Sequence, residues 1–135
     1  MMASKRTYVI SLLLLLILCG VIKNSFATHI SKPVLIDPKT EYIAGDTVIL
    51  HGWVDYNAQP TPDVLLNFKL TRPDGTVAVD QSYPSDHEGH FEFKFNTKNE
   101  VPGIYQIIIT SHCLEIHRQV CTYQNQTLSI HLNNP

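Results

Sequence analysis

Helical periodicity is missing from this sequence. No long stretch of its 135 residues spaces apolar side chains three and four apart, which argues against a helical domain. Repeats, linkers and low-complexity tracts are missing beyond residue 27, so nothing divides that part of the chain. Charge is sparse: Asp, Glu, Lys and Arg make up 16% of the residues, and no basic cluster stands ready to hold phosphates or an anionic membrane. Nucleic acid is therefore excluded as an expected partner. There is no Gly-x-Ser-x-Gly, no phosphate-cradling glycine loop and no dinucleotide fingerprint, and the carboxylates are scattered through turns. The sequence gives no positive sign of an enzyme and calls for no cofactor.

What is present begins with an export signal. Lys5 and Arg6 precede an uncharged, apolar stretch from Tyr8 to Ile22, in which Leu12 to Leu16 is unbroken. Ser25 and Ala27 then put small side chains three residues and one residue before a cut after Ala27, as signal peptidase requires. An uncleaved anchor is the competing reading, but a spanning helix needs about 20 apolar residues and this run is shorter. Lipidation at Cys19 would want a small residue before it, where Leu18 is bulky. The expected domains are thus a signal peptide, 1–27, and one mature domain, 28–135, in the periplasm or outside the cell. Losing Lys5, Arg6 and Lys23 leaves seven basic against twelve acidic residues in that domain, a formal charge of −5.

The mature part alternates like β-structure. Strands are expected at Pro33–Ile36, Thr47–Val54, Val64–Thr71, Thr76–Tyr83, His90–Asn96, Ile104–Ser111 and Thr127–Leu132. Arg72-Pro73-Asp74-Gly75 is a strong turn, because proline presets φ and glycine accepts positive φ. About seven strands with one apolar face each must hide those faces against a second sheet. The expected core is Val48, Leu50, Val64, Leu66, Phe68, Leu70, Phe91, Phe93, Phe95, Tyr105, Ile107, Ile109, Leu128 and Ile130.

Two of the three cysteines lie beyond the export signal. An even count in an exported domain suggests a Cys113–Cys121 disulfide. The spacing fits a hairpin in which Leu114 faces Val120, Glu115 faces Gln119, and Ile116-His117-Arg118 turns. Asn125-Gln126-Thr127 has the form of a glycosylation acceptor for a eukaryotic secretory pathway.

Ala44-Gly45-Asp46-Thr47-Val48, Gly52, Arg72-Pro73-Asp74-Gly75, Glu88-Gly89-His90-Phe91-Glu92-Phe93 and Pro102-Gly103-Ile104-Tyr105 follow one another in that order. The set resembles immunoglobulin-like macroglobulin domains and related bacterial immunoglobulin-like domains, over about residues 41–111. The resemblance implies an immunoglobulin-like two-sheet antiparallel sandwich, with Gly89 turning into the phenylalanine strand. It also implies a corner at Gly103 and Tyr105 where the phenol packs inward and caps backbone. Neither a thioester segment nor a bait-like region is present, so protease trapping does not follow from the likeness.

Candidate site residues come from two patterns. If Val48, Leu50 and Val54 face the core, then Ile49, His51 and Trp53 face outward, and Tyr56 follows in the adjoining loop. An exposed tryptophan among apolar neighbours is the mark of a binding patch. Seven histidines raise metal as the alternative, with His87 and His90 in one group and His112 and His117 beside the cysteines in another. The hairpin puts His117 about 13 Å from either cysteine, since each strand residue spans about 3.3 Å, so no metal is expected there. The function expected is a binding or structural module that docks a protein or glycan through loops, a sheet edge or the aromatic patch. The alternatives are a small metal-binding protein and a secreted enzyme inhibitor or enzyme.

Overall fold

The computed structural model describes residues 8–11, 14 and 28–135. Residues 8–11 and 14 are helical and exposed. The cut after Ala27 and the lipidation site at Cys19 lie outside the described residues. No helix among the described residues is long and apolar enough to cross a membrane.

The body is a β-sandwich of ten strands: β1 (His29–Leu35), β2 (Glu41–Ile43), β3 (Thr47–Tyr56), β4 (Gln59–Pro60), β5 (Leu65–Thr71), β6 (Val77–Pro84), β7 (His90–Asn96), β8 (Gly103–Ser111), β9 (Cys121–Tyr123) and β10 (Asn125–Asn133). In the first sheet β9, β1 and β3 lie side by side, and β7 and β4 both pair with β3. The second sheet runs β2-β10-β8-β5-β6. Seven strands are those expected. The other three, β2, β4 and β9, are two or three residues long, too short for alternation to show.

The sheets are mixed, which corrects the strictly antiparallel expectation. Strand β9 runs parallel to β1, and β2 runs parallel to β10. For β2 the cause is a break after the first strand. Asp37 takes φ 41° before Pro38, and the chain leaves the first sheet there to re-enter the second as β2. Strand β2 then meets the outer side of the last strand.

The core forms where the two inner faces meet. Strand β3 alternates without a break from Val48 to Tyr56, with Val48, Leu50, Gly52, Val54 and Tyr56 inward. Phe68 sits at the centre, its ring 5.5 Å from that of Phe91, 5.4 Å from Phe93 and 4.6 Å from Tyr83. Of the expected core, Phe95 and Leu128 are only partly buried and pack against its edge, while Tyr42, Val54, Tyr56 and Leu132 join it. One tie between the sheets is polar: the buried Ser31 hydroxyl donates to the carbonyl of His112 at 2.8 Å and lies 3.0 Å from the buried Ser111 hydroxyl. Burial costs these groups little because they are paired.

Gly89 has φ +80°, and a Cβ there would stand 2.5 Å from the backbone nitrogen of Thr61, so the turn into the phenylalanine strand needs glycine. The expected corner is also present. The Tyr105 hydroxyl donates to the carbonyl of Val101 at 2.7 Å and lies 3.2 Å from the Glu100 carboxylate. Arg72 grips that carboxylate with two bonds of 2.8 and 3.1 Å. Those bonds hold the Glu100 carboxyl below its ordinary range, and burial pushes the Tyr105 phenol up.

Candidate functional site

Strand β3 presents Ile49, His51 and Trp53 on the outer face of the first sheet, as alternation dictates. Ile49 is 39% exposed and His51 is exposed, while Trp53 is half-buried. Trp53 lies opposite Val34 on one neighbouring strand and opposite His90 on the other. Paired charges are interleaved with these side chains. His51 lies 3.4 Å from Glu92, Lys94 lies 3.0 Å from Glu92, and Lys32 lies 3.7 Å from Asp55. Val34 and Trp53 thus lie side by side, with Ile49 beyond the exposed His51 and its partner Glu92 on the same face.

Tyr56 does not belong to that face, which corrects its expected place in a loop. Strand β3 continues through residue 56, and period two carries Tyr56 to the inner face, where it is 5% exposed. Its hydroxyl lies 2.7 Å from Nδ1 of His117 and 3.6 Å from Sγ of Cys121.

Tyr56 thus reaches a second locus, at the end of the sandwich that carries the disulfide. Cys113 and Cys121 are bonded, with Cα atoms 5.9 Å apart. The expected hairpin between them does not form. Glu115–His117 makes one 3-10 turn, and β9 adds to the edge of β1 instead. The competing partner is visible: the amide of His29 donates to the carbonyl of Val120 at 2.7 Å, so the returning chain pairs with β1 rather than with its own outgoing half. Beside the disulfide lies an open cleft of about 470 Å³ lined by both cysteines, Asp63, Leu65, His112 and Tyr123 among others.

The histidines fall differently from the expected groups. His117 stacks on His29, with centroids 3.9 Å apart and planes 12° apart. His112 instead lies 5.4 Å from the ring of Tyr123. His87 and His90 are exposed on the turn before β7, where Nδ1 of His90 stands 3.6 Å from Glu88. That turn is held by Asp86, whose carboxylate accepts the amides of Glu88 and His90 at 2.9 Å each, bonds that keep it below the usual carboxylate range.

Among the described residues, no three His, Cys, Asp or Glu side chains converge as a metal site would need. Of the stacked pair, His29 is arranged against ligation. Asn57 accepts the amide of Ile30 at Oδ1 (2.7 Å), which turns its amide nitrogen toward Nδ1 of His29. His29 then carries its proton on Nε2, so neither ring nitrogen offers a free lone pair.

Sequence reasoning missed the roles of His29, Tyr56 and the Ser31–Ser111 pair. For Tyr56 the signal was available, since it continues the period of Val54. For His29 and Ser31 there was none, because their partners are distant in sequence: Asn57 lies 28 residues from His29, and Ser111 and His112 lie 80 and 81 from Ser31. No protein-family model matches the chain, and no curated protein matches it.

Proposed function

We propose that this chain is an exported binding module whose working surface is the outer face of the first sheet, centred on Trp53. The observation that carries the reading is the half-exposed Trp53 paired with Val34 on the same face as the exposed Ile49, among paired charges. A tryptophan and aliphatic side chains among polar and charged groups on one face suit a protein–protein interface, where aromatic residues are enriched. A sheet face suits a protein better than a small ligand, which would need a deep concavity. The disulfide supports export, since such bonds persist in oxidising compartments.

Affinity capture followed by measured binding to the captured protein tests the reading. Trp53→Ala should weaken binding about 30-fold or more, the effect of losing a hot-spot tryptophan worth about 2 kcal/mol. Ile108→Ala, on the outer face of the second sheet, should leave it unchanged. Normal binding by Trp53→Ala together with loss in Ile108→Ala would move the surface to the other sheet.

A further inference from the structure

We propose that the Cys113–Cys121 disulfide is a directional site of thiol–disulfide exchange: a small thiol attacks Cys113 and Cys121 leaves. Access comes first. Both cysteines line the open cleft of about 470 Å³, and both are only half-buried. The surroundings also tolerate opening. The cysteines are joined by one 3-10 turn without buried residues, and β9 is held to β1 by three residue pairs. Breaking the bond frees a surface loop and leaves the core around Phe68 untouched.

Direction follows from an asymmetry between the sulfurs. Sγ of Cys121 lies 3.6 Å from the Tyr56 hydroxyl, whereas no side-chain hydrogen bond reaches Sγ of Cys113. A hydroxyl has one proton. For Tyr56 to aim it at sulfur, the 2.7 Å bond to His117 must be donated by Nδ1–H of the imidazole. Such a chain, Nδ1–H to Oη–H to Sγ, stabilises negative charge on Cys121 and on no other sulfur. A better-stabilised thiolate leaves faster.

The step balances. The incoming thiolate forms a bond to Sγ of Cys113, the Sγ–Sγ bond breaks, and its electron pair departs on Cys121. The attacking sulfur is oxidised and Cys121 is reduced. Tyr56 keeps its proton and holds the new thiolate by Oη–H, itself fixed by Nδ1–H of His117, so one thiolate is consumed and one is released, to equilibrate with solvent protons. The cleft also selects its thiol. Asp63 and Glu115 line it against the single formal cation Arg118, which is 3.2 Å from Glu115. Excess negative charge favours a cationic thiol over an anionic one.

The test uses the oxidised protein in native buffer with cysteamine or glutathione, acid-quenched and mapped by mass spectrometry. The mixed disulfide should sit on Cys113 at least about tenfold more often than on Cys121. Cysteamine should react faster than glutathione at equal thiolate concentration. Tyr56→Phe should slow the reaction about tenfold or more, the loss of a hydrogen bond to a charged group. Should Tyr56→Phe lose its near-ultraviolet circular dichroism, His117→Asn takes its place and should slow exchange while the fold is retained. Adducts mainly on Cys121, reaction only after denaturation, or wild-type rates in whichever variant stays folded would overturn the proposal.

Discussion

Gly52→Ala is the sharpest test of how the first sheet is assembled. Gly52 faces the core from β3, between Leu50 and Val54, and its φ raises no conformational objection to alanine. The obstacle is space. A Cβ there would stand 2.4 Å from the carbonyl oxygen of Val34 and 2.3 Å from Cζ of Phe91. Carbon contacts settle at about 3.5–4.0 Å, so each neighbour must retreat by more than about 1 Å. The carbonyl is backbone of β1, which is paired to β3 at this very register, Leu35 opposite Gly52 and Val34 opposite Trp53. The ring is part of the packed cluster around Phe68. Neither retreats freely, which places the cost near the upper end of overpacking, about 3 kcal/mol. Thermal unfolding of residues 28–135 should then fall by about 12–18 °C, at about 4–6 °C per kcal/mol for a domain of this size. Adding Phe91→Leu relieves the ring but not the carbonyl, so the double variant should recover part of the loss and no more. A Gly52→Ala protein melting within about 2 °C of wild type would refute the close approach of β1 to β3, at about 4–6 °C per kcal/mol.

Three further outcomes follow. Glu100, held below its ordinary range first by its bonds to Arg72, contributes stability above the pH at which the unfolded carboxyl titrates and loses it as pH falls through its folded value. Glu100→Gln should therefore cost about 1–2 kcal/mol in urea unfolding at pH 7 and progressively less as the pH falls below the ordinary carboxyl range, and a cost independent of pH would sink the assignment. Burial first, then the Glu92 charge, pushes the Tyr83 phenol up to about 12. Its stabilising share is whole below the ordinary phenol value and is lost as pH rises toward about 12, so Tyr83→Phe should flatten the alkaline fall in stability. Replacing Cys113 and Cys121 together by alanine should cost about 2.5 kcal/mol by the chain-entropy model. Hydrogen exchange should quicken in β9 and leave β7 protected, whereas uniform quickening would mean that the disulfide supports the whole core.

The parts of the fold legible in the sequence are those where alternation runs long. Strand β7 shows Phe91 and Phe93 buried between exposed Glu92 and Lys94, and β5 shows Leu66, Phe68 and Leu70 in the same way. Phe95 departs because β7 runs toward the sandwich edge, where its ring is half-covered. Tyr56 departs because the strand runs two residues past Val54: the chain stays extended through Tyr56, and the turn is made by Asn57 and Ala58 at φ 53° and 64°. Two positive φ values in a two-residue loop are what a tight hairpin requires. Asp55 works from inside the strand, accepting the amide of Ala58 at 2.7 Å. The loop's sequence was visible, but which residue opened it depended on a side-chain bond.

The two ends of the sandwich differ in a way that separates structure from chemistry. At the end where β5 finishes and β8 begins, Arg72, Glu100 and Tyr105 satisfy one another and the backbone, leaving a polar cluster with its groups already spent. Charged groups so paired hold a corner in place and have little left to offer a ligand. At the opposite end, where β8 finishes beside the start of β5, the disulfide, His117 and Tyr56 adjoin an open cleft. There a proton chain ends on a sulfur instead of a backbone carbonyl. The same inward-facing tyrosine chemistry therefore has two outcomes. Tyr105 closes a fold, because its hydroxyl spends its proton on Val101. Tyr56 can serve a reaction, because its proton is aimed at the one covalent bond in the domain that a thiol can open.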